Sequence, residues 1–190
     1  MQVILASASP RRRALLEQIG VGFSVRPADI DERPHPSEPP TEYVERIARS
    51  KVTAVPWDPD TVVLAADTVV VHRGRILGKP GHPDEARRML AALSGQAHTV
   101  MTGVAVAGGA AELSVASDRA LVRFAPLTDA EIVAYVEGGE PMDKAGAYGL
   151  QGIAGMFVER VEGSPSTVVG LPLHLVARLL RNHGVPILTP

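Results

Sequence analysis

Apolar positions recur along this chain with two different periods. Residues 3–5 are a short continuous apolar run, which reads as a buried strand. Ser9 and Pro10 follow as a helix N-cap and first helical residue, and Leu15, Leu16 and Ile19 continue at helical spacing. Residues 23–26 suggest a second strand. The pattern over 41–54 is helical again, with Tyr43, Val44, Ile47 and Ala48 on one face. The segment "TVVLAADTVVVH" (61–72) is β-branched and apolar, and Arg73-Gly74 followed by Ile76 and Leu77 predicts a hairpin. Residues 82–93 read as a helix opened by Pro83 and acidic residues. Two long strands over 97–125, joined at Gly108-Gly109, come next. A helix at 128–138 has the Thr128/Glu131 capping box. A glycine-rich loop (138–152), a strand (156–161), a turn "EGSPST" and a last helix (about 172–183, ended by Gly184) complete the series.

Helices and strands alternate, but adjacent hairpins break any regular βαβ series. The expected fold is therefore α/β, with a mixed, partly antiparallel sheet and flanking helices. No internal repeat or clear linker divides residues 1–190, so a single domain is expected.

Composition narrows the function. The chain has 190 residues, 45% hydrophobic and 21% charged, with net charge −2. There is no basic excess to coat nucleic acid, and aromatics at 4% are too few for a base-stacking platform. No apolar run reaches the 18 or so residues of a membrane span. Cysteine is absent, which excludes thiol catalysis and thiolate metal sites and fits a reducing cytoplasm. No signal peptide is expected, because no basic region followed by a long apolar run opens the chain.

Local features then stand out. Arg11, Arg12 and Arg13 occupy the first turn of a helix, where a cation costs about 0.3–1 kcal/mol against the dipole. An anion arriving there would offset that cost. Three successive helical residues fan through roughly 200°, so all three cannot meet one ligand. Asp67 interrupts an apolar strand, where a carboxylate must be paired, hydrogen-bonded or metal-bound. It reads either as an edge or bulge residue bonded to backbone, or as a metal ligand or general base. Asp31 and Glu32 lie in an acidic, proline-rich loop, "DIDERPHPSEPP", as solvated charge or as a second carboxylate for a divalent cation shared with Asp67. Lys51 and Lys79 are ordinary solvated lysines unless such a site lies beside them. The loop "DKAGAYGLQG" offers Asp143, Lys144 and Gln151, whose amide can both donate and accept at a base edge. His98 opens a strand and reads as structural, and no Gly-x-Ser-x-Gly elbow surrounds Ser7 or Ser9.

The segments "LASASPRR", "AADTVV", "GKP", "SGQAHTVMTGVAV", "GEPMDKAGAYGLQG" and "VVGLPL" occur in the order seen in Maf proteins, and the chain resembles that family over roughly residues 3–182. The resemblance implies a nucleoside triphosphate pyrophosphatase with an elongated, two-lobed fold like that of inosine triphosphate pyrophosphatase. It implies a central nucleotide cleft, use of Mg²⁺ or Mn²⁺, and commonly a homodimer. Asp67 matches the proposed catalytic carboxylate and Glu32 the loop glutamate that joins it at the metal. Ser7, Ser9, Arg11, Arg12, Lys51 and Lys79 match substrate-side positions. Arg11, Thr68 and Gln151 match the dTTP/UTP subgroup, whereas the 7-methyl-GTP subgroup carries an aromatic, Gln and Glu. "AAD" for the commoner "GAD", and Pro165 in place of an aromatic, are departures. Maf proteins have also been linked to septum formation, so a nucleotide-binding regulator without turnover is the alternative expectation.

Overall fold

The computed structural model describes residues 1–58 and 60–188. The chain forms two compact units. The first comprises Met1–Asp67, Thr102–Asp118 and the residues from Gly170; the second comprises Thr68–Met101 and Arg119–Val169. Among the described residues, seven strands follow the hydrogen-bonded order β2-β1-β3-β5-β6-β7, with β4 paired to β3. The sheet is mixed, as the sequence predicts.

In the first unit, β1 (Gln2–Leu5) runs into α1 (Pro10–Gln18) and β2 (Phe23–Val25). β1 lies parallel to β2 and to the start of β3 (Thr61–His72), with Leu5 opposite both Val25 and Leu64. Val3, Ile4, Leu5 and Ala6 are all buried, as expected for a parallel strand covered on both faces. Between β2 and β3, α2 (Pro40–Ala54) buries Tyr43, Val44, Ile47, Ala48, Lys51 and Val52. That stripe has helical spacing, and Lys51 is its one charged member. Ala48, Val52 and Val55 pack with Ile4, Val63, Ala65 and Ala105.

Gly103, in β5 (Ala97–Gly108), sets how closely α2 approaches. A Cβ at this position would strike the Val44 carbonyl and lie 2.9 Å from the Glu45 nitrogen. Both obstacles are backbone, so no side chain can move aside. Gly103→Ala is expected to cost about 1–3 kcal/mol by overpacking. A lowered urea midpoint with an unchanged slope checks this, and a wild-type midpoint would refute it.

In the second unit, β3 turns back as β4 (Arg75–Leu77), with Val70 opposite Leu77. Arg73 and Gly74 both have positive φ, as this hairpin turn requires. α3 (Pro83–Leu93) buries Ala86, Leu90 and Leu93, and its N-cap is the His82 ring, which accepts from the Glu85 N–H. After β5 and β6 (Ala111–Phe124), α4 (Asp129–Glu137) begins with the expected Thr128/Glu131 capping box. The core gathers Val70, Leu90, Leu93, Val122, Ile132 and Tyr148 around Phe124.

Three segments differ from the sequence reading. The 138–152 loop contains two 3-10 turns, Glu140–Asp143 and Ala145–Ala147. The strand expected over 156–161 starts later, as β7 (Val158–Glu162), after a 3-10 turn at Ile153–Phe157. There the Gly152 and Gly155 N–H groups bond to carbonyls three residues back, which takes them out of any ladder. The "EGSPST" turn leads into α5 (Pro165–Val169), because Pro165 suits a first helical turn. Gly170 then bends the chain into α6 (Leu173–Asn182), as the apolar pattern predicts.

His98 is buried, as its structural reading requires. Its ring stands edge-on to Phe124 and Tyr148, and Nε2 lies 2.8 Å from the Tyr148 hydroxyl. Burial, helped by nearby His72, pushes its pKa down to about 4. The unfolded chain therefore binds this proton more readily, and stability rises with pH between about 4 and 6.5. Urea unfolding from pH 4.5 to 7 is expected to show that rise, and His98→Gln is expected to flatten it. An equally steep rise in the variant would assign the effect to other groups.

Candidate active site

The first helix supplies an arginine fixed in place by its own N-terminal turn. Ser9 is the N-cap and receives the Arg12 backbone N–H. Ser7 Oγ accepts from the Ser9 N–H and from Arg12 Nη1, each at 3.2 Å. Arg12 Nε donates to the Gly170 carbonyl at 2.8 Å. The guanidinium is thus bonded along two edges before any ligand arrives. Burial lowers its pKa, while Asp67 and Glu32 favour its charged form. Arg11 is half-buried beside it, and Arg13 is exposed.

Asp67 lies in the middle of β3 and is only 7% exposed. Its partner is a side chain rather than strand backbone. Lys51 Nζ reaches Asp67 Oδ1 at 2.8 Å and Glu32 Oε1 at 2.9 Å. Lys51 itself is 6% exposed. An ammonium ion therefore joins a buried carboxylate to one on a half-exposed loop. With Arg12 nearby, two anions and two cations balance in one place.

The acidic loop is tied to α2 rather than loose in solvent. The Tyr43 hydroxyl donates to the Glu32 carbonyl at 2.8 Å. Arg46 donates to both Glu38 carboxylate oxygens and to the Arg33 carbonyl, and its guanidinium stands over the Tyr43 ring at 5.5 Å. Burial, then the neighbouring Asp67 and Glu32 charges, raise the Tyr43 pKa, which keeps its donor proton in place. Asp31 turns instead to Arg33, which holds its carboxyl down at about 2. Tyr43 and Arg46 were not candidates from sequence. Their signal is Tyr43 and Arg46 at i and i+3 on α2, just after an acidic loop.

The second unit carries the other candidates. Thr68 follows Asp67 along β3 and is half-buried, Lys79 is exposed after β4, and Gln151 is exposed at a turn. Gly78, next to Lys79, accepts from the Gly146 N–H at 3.0 Å. The structure thus brings Ser7, Ser9, Arg12, Lys51, Asp67 and Glu32 together in the first unit.

Among the described residues, no cluster of three or more His, Cys, Asp or Glu side chains could hold a metal. The donor chemistry that does exist is two carboxylates facing one cation. Mg²⁺ and Mn²⁺ accept such a pair when phosphate oxygens and water complete the shell. Asp67 and Glu32 therefore fit a metal that arrives with a phosphate ligand, not a closed protein cage.

Residues 2–183 match the family described as Maf-like protein. The chain belongs to the Maf family. Curated relatives include the dTTP/UTP pyrophosphatase of Anaeromyxobacter sp. (strain Fw109-5), 57% identical over 191 residues, covering 98% of this chain and 91% of that one. The dTTP/UTP pyrophosphatase of Symbiobacterium thermophilum is 50% identical, covering 99% and 97% respectively. A HAM1 protein from Coxiella burnetii superposes with a TM-score of 0.50 at 15% identity, covering 95% of this chain and 98% of that chain. That likeness shows the fold. In this Maf protein the arginine-rich helix start, the mid-strand aspartate and the acidic loop, separate in sequence, converge around Lys51. No described helix is long and apolar enough to cross a membrane.

Proposed function

We propose that this Maf protein is a nucleoside triphosphate pyrophosphatase that prefers dTTP and UTP, releasing the monophosphate and pyrophosphate. One observation carries the reading. A buried Asp67 is paired with Lys51 beside a pre-fixed Arg12, in a chain 57% identical over 98% of its length to a dTTP/UTP pyrophosphatase.

The substrate carries about four negative charges, so the chemistry depends mainly on positioning and charge neutralisation. Asp67 takes a proton from water as the water oxygen bonds to the α-phosphorus. The bond from the α-phosphorus to the bridging oxygen breaks, and that oxygen leaves with pyrophosphate. Two Lys51 donors are committed to Asp67 and Glu32, which leaves a third for a phosphate oxygen. Arg12 uses its fixed fork on the same anion, and Ser7 and Ser9 hold Arg12 and the helix start. Arg11 and Lys79 add positive charge on the phosphate side, and Thr68 and Gln151 face the sugar or base. A divalent cation held by Asp67 and Glu32 supplies Lewis-acid charge to the phosphate oxygens when bound.

The test is a panel of nucleoside triphosphates with Mg²⁺ or Mn²⁺ in ¹⁸O-labelled water. Pyrophosphate release with the label in the monophosphate is expected, fastest for dTTP and UTP. Label in pyrophosphate would move the attack to the β-phosphorus. Binding without turnover would make the protein a nucleotide-binding regulator.

A further inference from the structure

The turn that carries Gln151 is supported by side chains packed where glycine hydrogens stand. Glu140 opens the 3-10 turn Glu140–Asp143. Its Oε2 accepts from the Ile153 N–H at 3.0 Å, and its Oε1 accepts from the Tyr135 hydroxyl at 3.1 Å. A Cβ on Gly152 would fall on the Glu140 carboxylate. Lys144 Nζ donates to the Glu140 carbonyl and, at 2.7 Å, to Asp143. The Lys144 Cδ and Cε lie 2.8 Å from where a Cβ on Gly149 would stand.

Tyr135 completes the frame. Its hydroxyl donates to Glu140 Oε1. Burial, then the Glu140 charge, raise its pKa, so the donated proton stays on the oxygen. The Phe157 ring backs it edge-on at 5.2 Å. On one side of Gln151 the Lys144 stem packs against Gly149, whose carbonyl accepts from the Gly152 N–H, and on the other Ile153 is bonded to Glu140. Gly149 and Gly152 are glycine because Lys144 and Glu140 lie against them. Tyr135 and Phe157 belong to the buried core of this unit, whereas Gln151 itself is exposed. A buried tyrosine and two charged side chains thus brace the turn that carries the exposed Gln151.

We infer that Glu140 is a positioning residue for Gln151, acting with Tyr135 and Lys144, and that this network sets the enzyme's selectivity at the pyrimidine base. The inference rests on the reading of Gln151 as a base contact. A glutamine amide discriminates a carbonyl from an amino group only when its backbone is held to a fraction of an ångström. Loosening the frame returns that ordering cost to the binding step, so the loss falls on KM.

The experiment measures kcat and KM for UTP and CTP, whose bases differ in a carbonyl against an amino group at C4 and in an N3–H donor against an N3 acceptor. It compares wild type, Gln151→Ala, Glu140→Ala, Lys144→Met and the Glu140→Ala/Gln151→Ala double variant. Glu140→Ala and Gln151→Ala are each expected to raise KM for UTP about tenfold and to shrink the UTP/CTP ratio. The double variant is expected to be no worse than Gln151→Ala, because Glu140 acts through that side chain. Lys144→Met keeps the stem against Gly149 while removing the bond to Glu140, so a smaller loss in the same direction is expected. Additive losses, or equal losses for UTP and CTP, would overturn the positioning role. An unchanged UTP/CTP ratio in Gln151→Ala would overturn the reading of Gln151 and this inference with it. Pyrophosphate release by that variant would still leave the hydrolase reading in place.

Discussion

Asp67→Asn is expected to lower kcat for pyrophosphate release by about a thousandfold or more while leaving the fold intact. Asparagine has nearly the same shape, and its carbonyl oxygen can still accept from Lys51 at the position Oδ1 now holds. The amide cannot take a proton from water, and general-base catalysis typically contributes 10²–10⁴-fold. It is also a weaker cation ligand, so the loss falls on both proposed roles of the carboxylate. The assay is single-turnover release of pyrophosphate from dTTP and UTP, with circular dichroism as the folding control. A folded variant that kept near wild-type release would remove Asp67 from the chemistry.

Lys51→Met should have the largest effect on stability. Methionine fills a similar volume in the apolar stripe of α2, so the substitution isolates the charge. Asp67, 7% exposed, would be left in the core without its ammonium. Removing one partner of a buried pair costs about 3–5 kcal/mol, because the other charge remains desolvated. Glu32 adds little to that figure, since its side chain is 46% exposed and water can replace the lysine there. The diagnostic comparison is Asp67→Asn/Lys51→Met. With the unpaired charge gone, the double variant is expected to be more stable than Lys51→Met alone. If the double variant were less stable by the sum of the two single losses, the pair would not be energetically coupled. Urea unfolding of the four proteins decides between these outcomes.

These two expectations also mark how much of the site was legible beforehand. Asp67 was conspicuous because a lone carboxylate in an apolar strand demands a partner. The partner was not legible. Lys51 had the same chemical appearance as any solvated lysine, although its position extends the Val44–Ile47–Ala48 stripe. Read strictly by helical period, that position belongs to the buried face. The arginine-rich helix start was equally open to reading, as an unfavourable cluster of cations at a helix N-terminus. That Gly170, some 158 residues away, supplies the carbonyl for Arg12 Nε was not.

The order of strands and helices followed from local patterns, because burial on one face of a helix or strand leaves a periodic trace. The exceptions are short segments. Residues 156 and 157 close a 3-10 turn (Ile153–Phe157) where apolar content suggested the start of a strand, and Pro165–Val169 form a helix where glycine, serine and proline suggested a turn. Few residues give too little periodicity to separate the two, and local hydrogen bonding or packing then decides.

The sequence by itself determined the alternating elements, the capping of their ends, the absence of thiol chemistry and the identity of the one carboxylate that needed explaining. Those properties depend on a residue and its near neighbours in the chain. Tertiary structure alone decided that Lys51 pairs with Asp67, that Tyr43 and Arg46 tie the acidic loop to a helix, and that Glu140 and Lys144 occupy the space left by Gly152 and Gly149. Each of these depends on distances of about 3 Å between groups that no helix or strand period relates, and hydrogen bonds and ion pairs fall off too steeply with distance and angle for spacing along the chain to fix them.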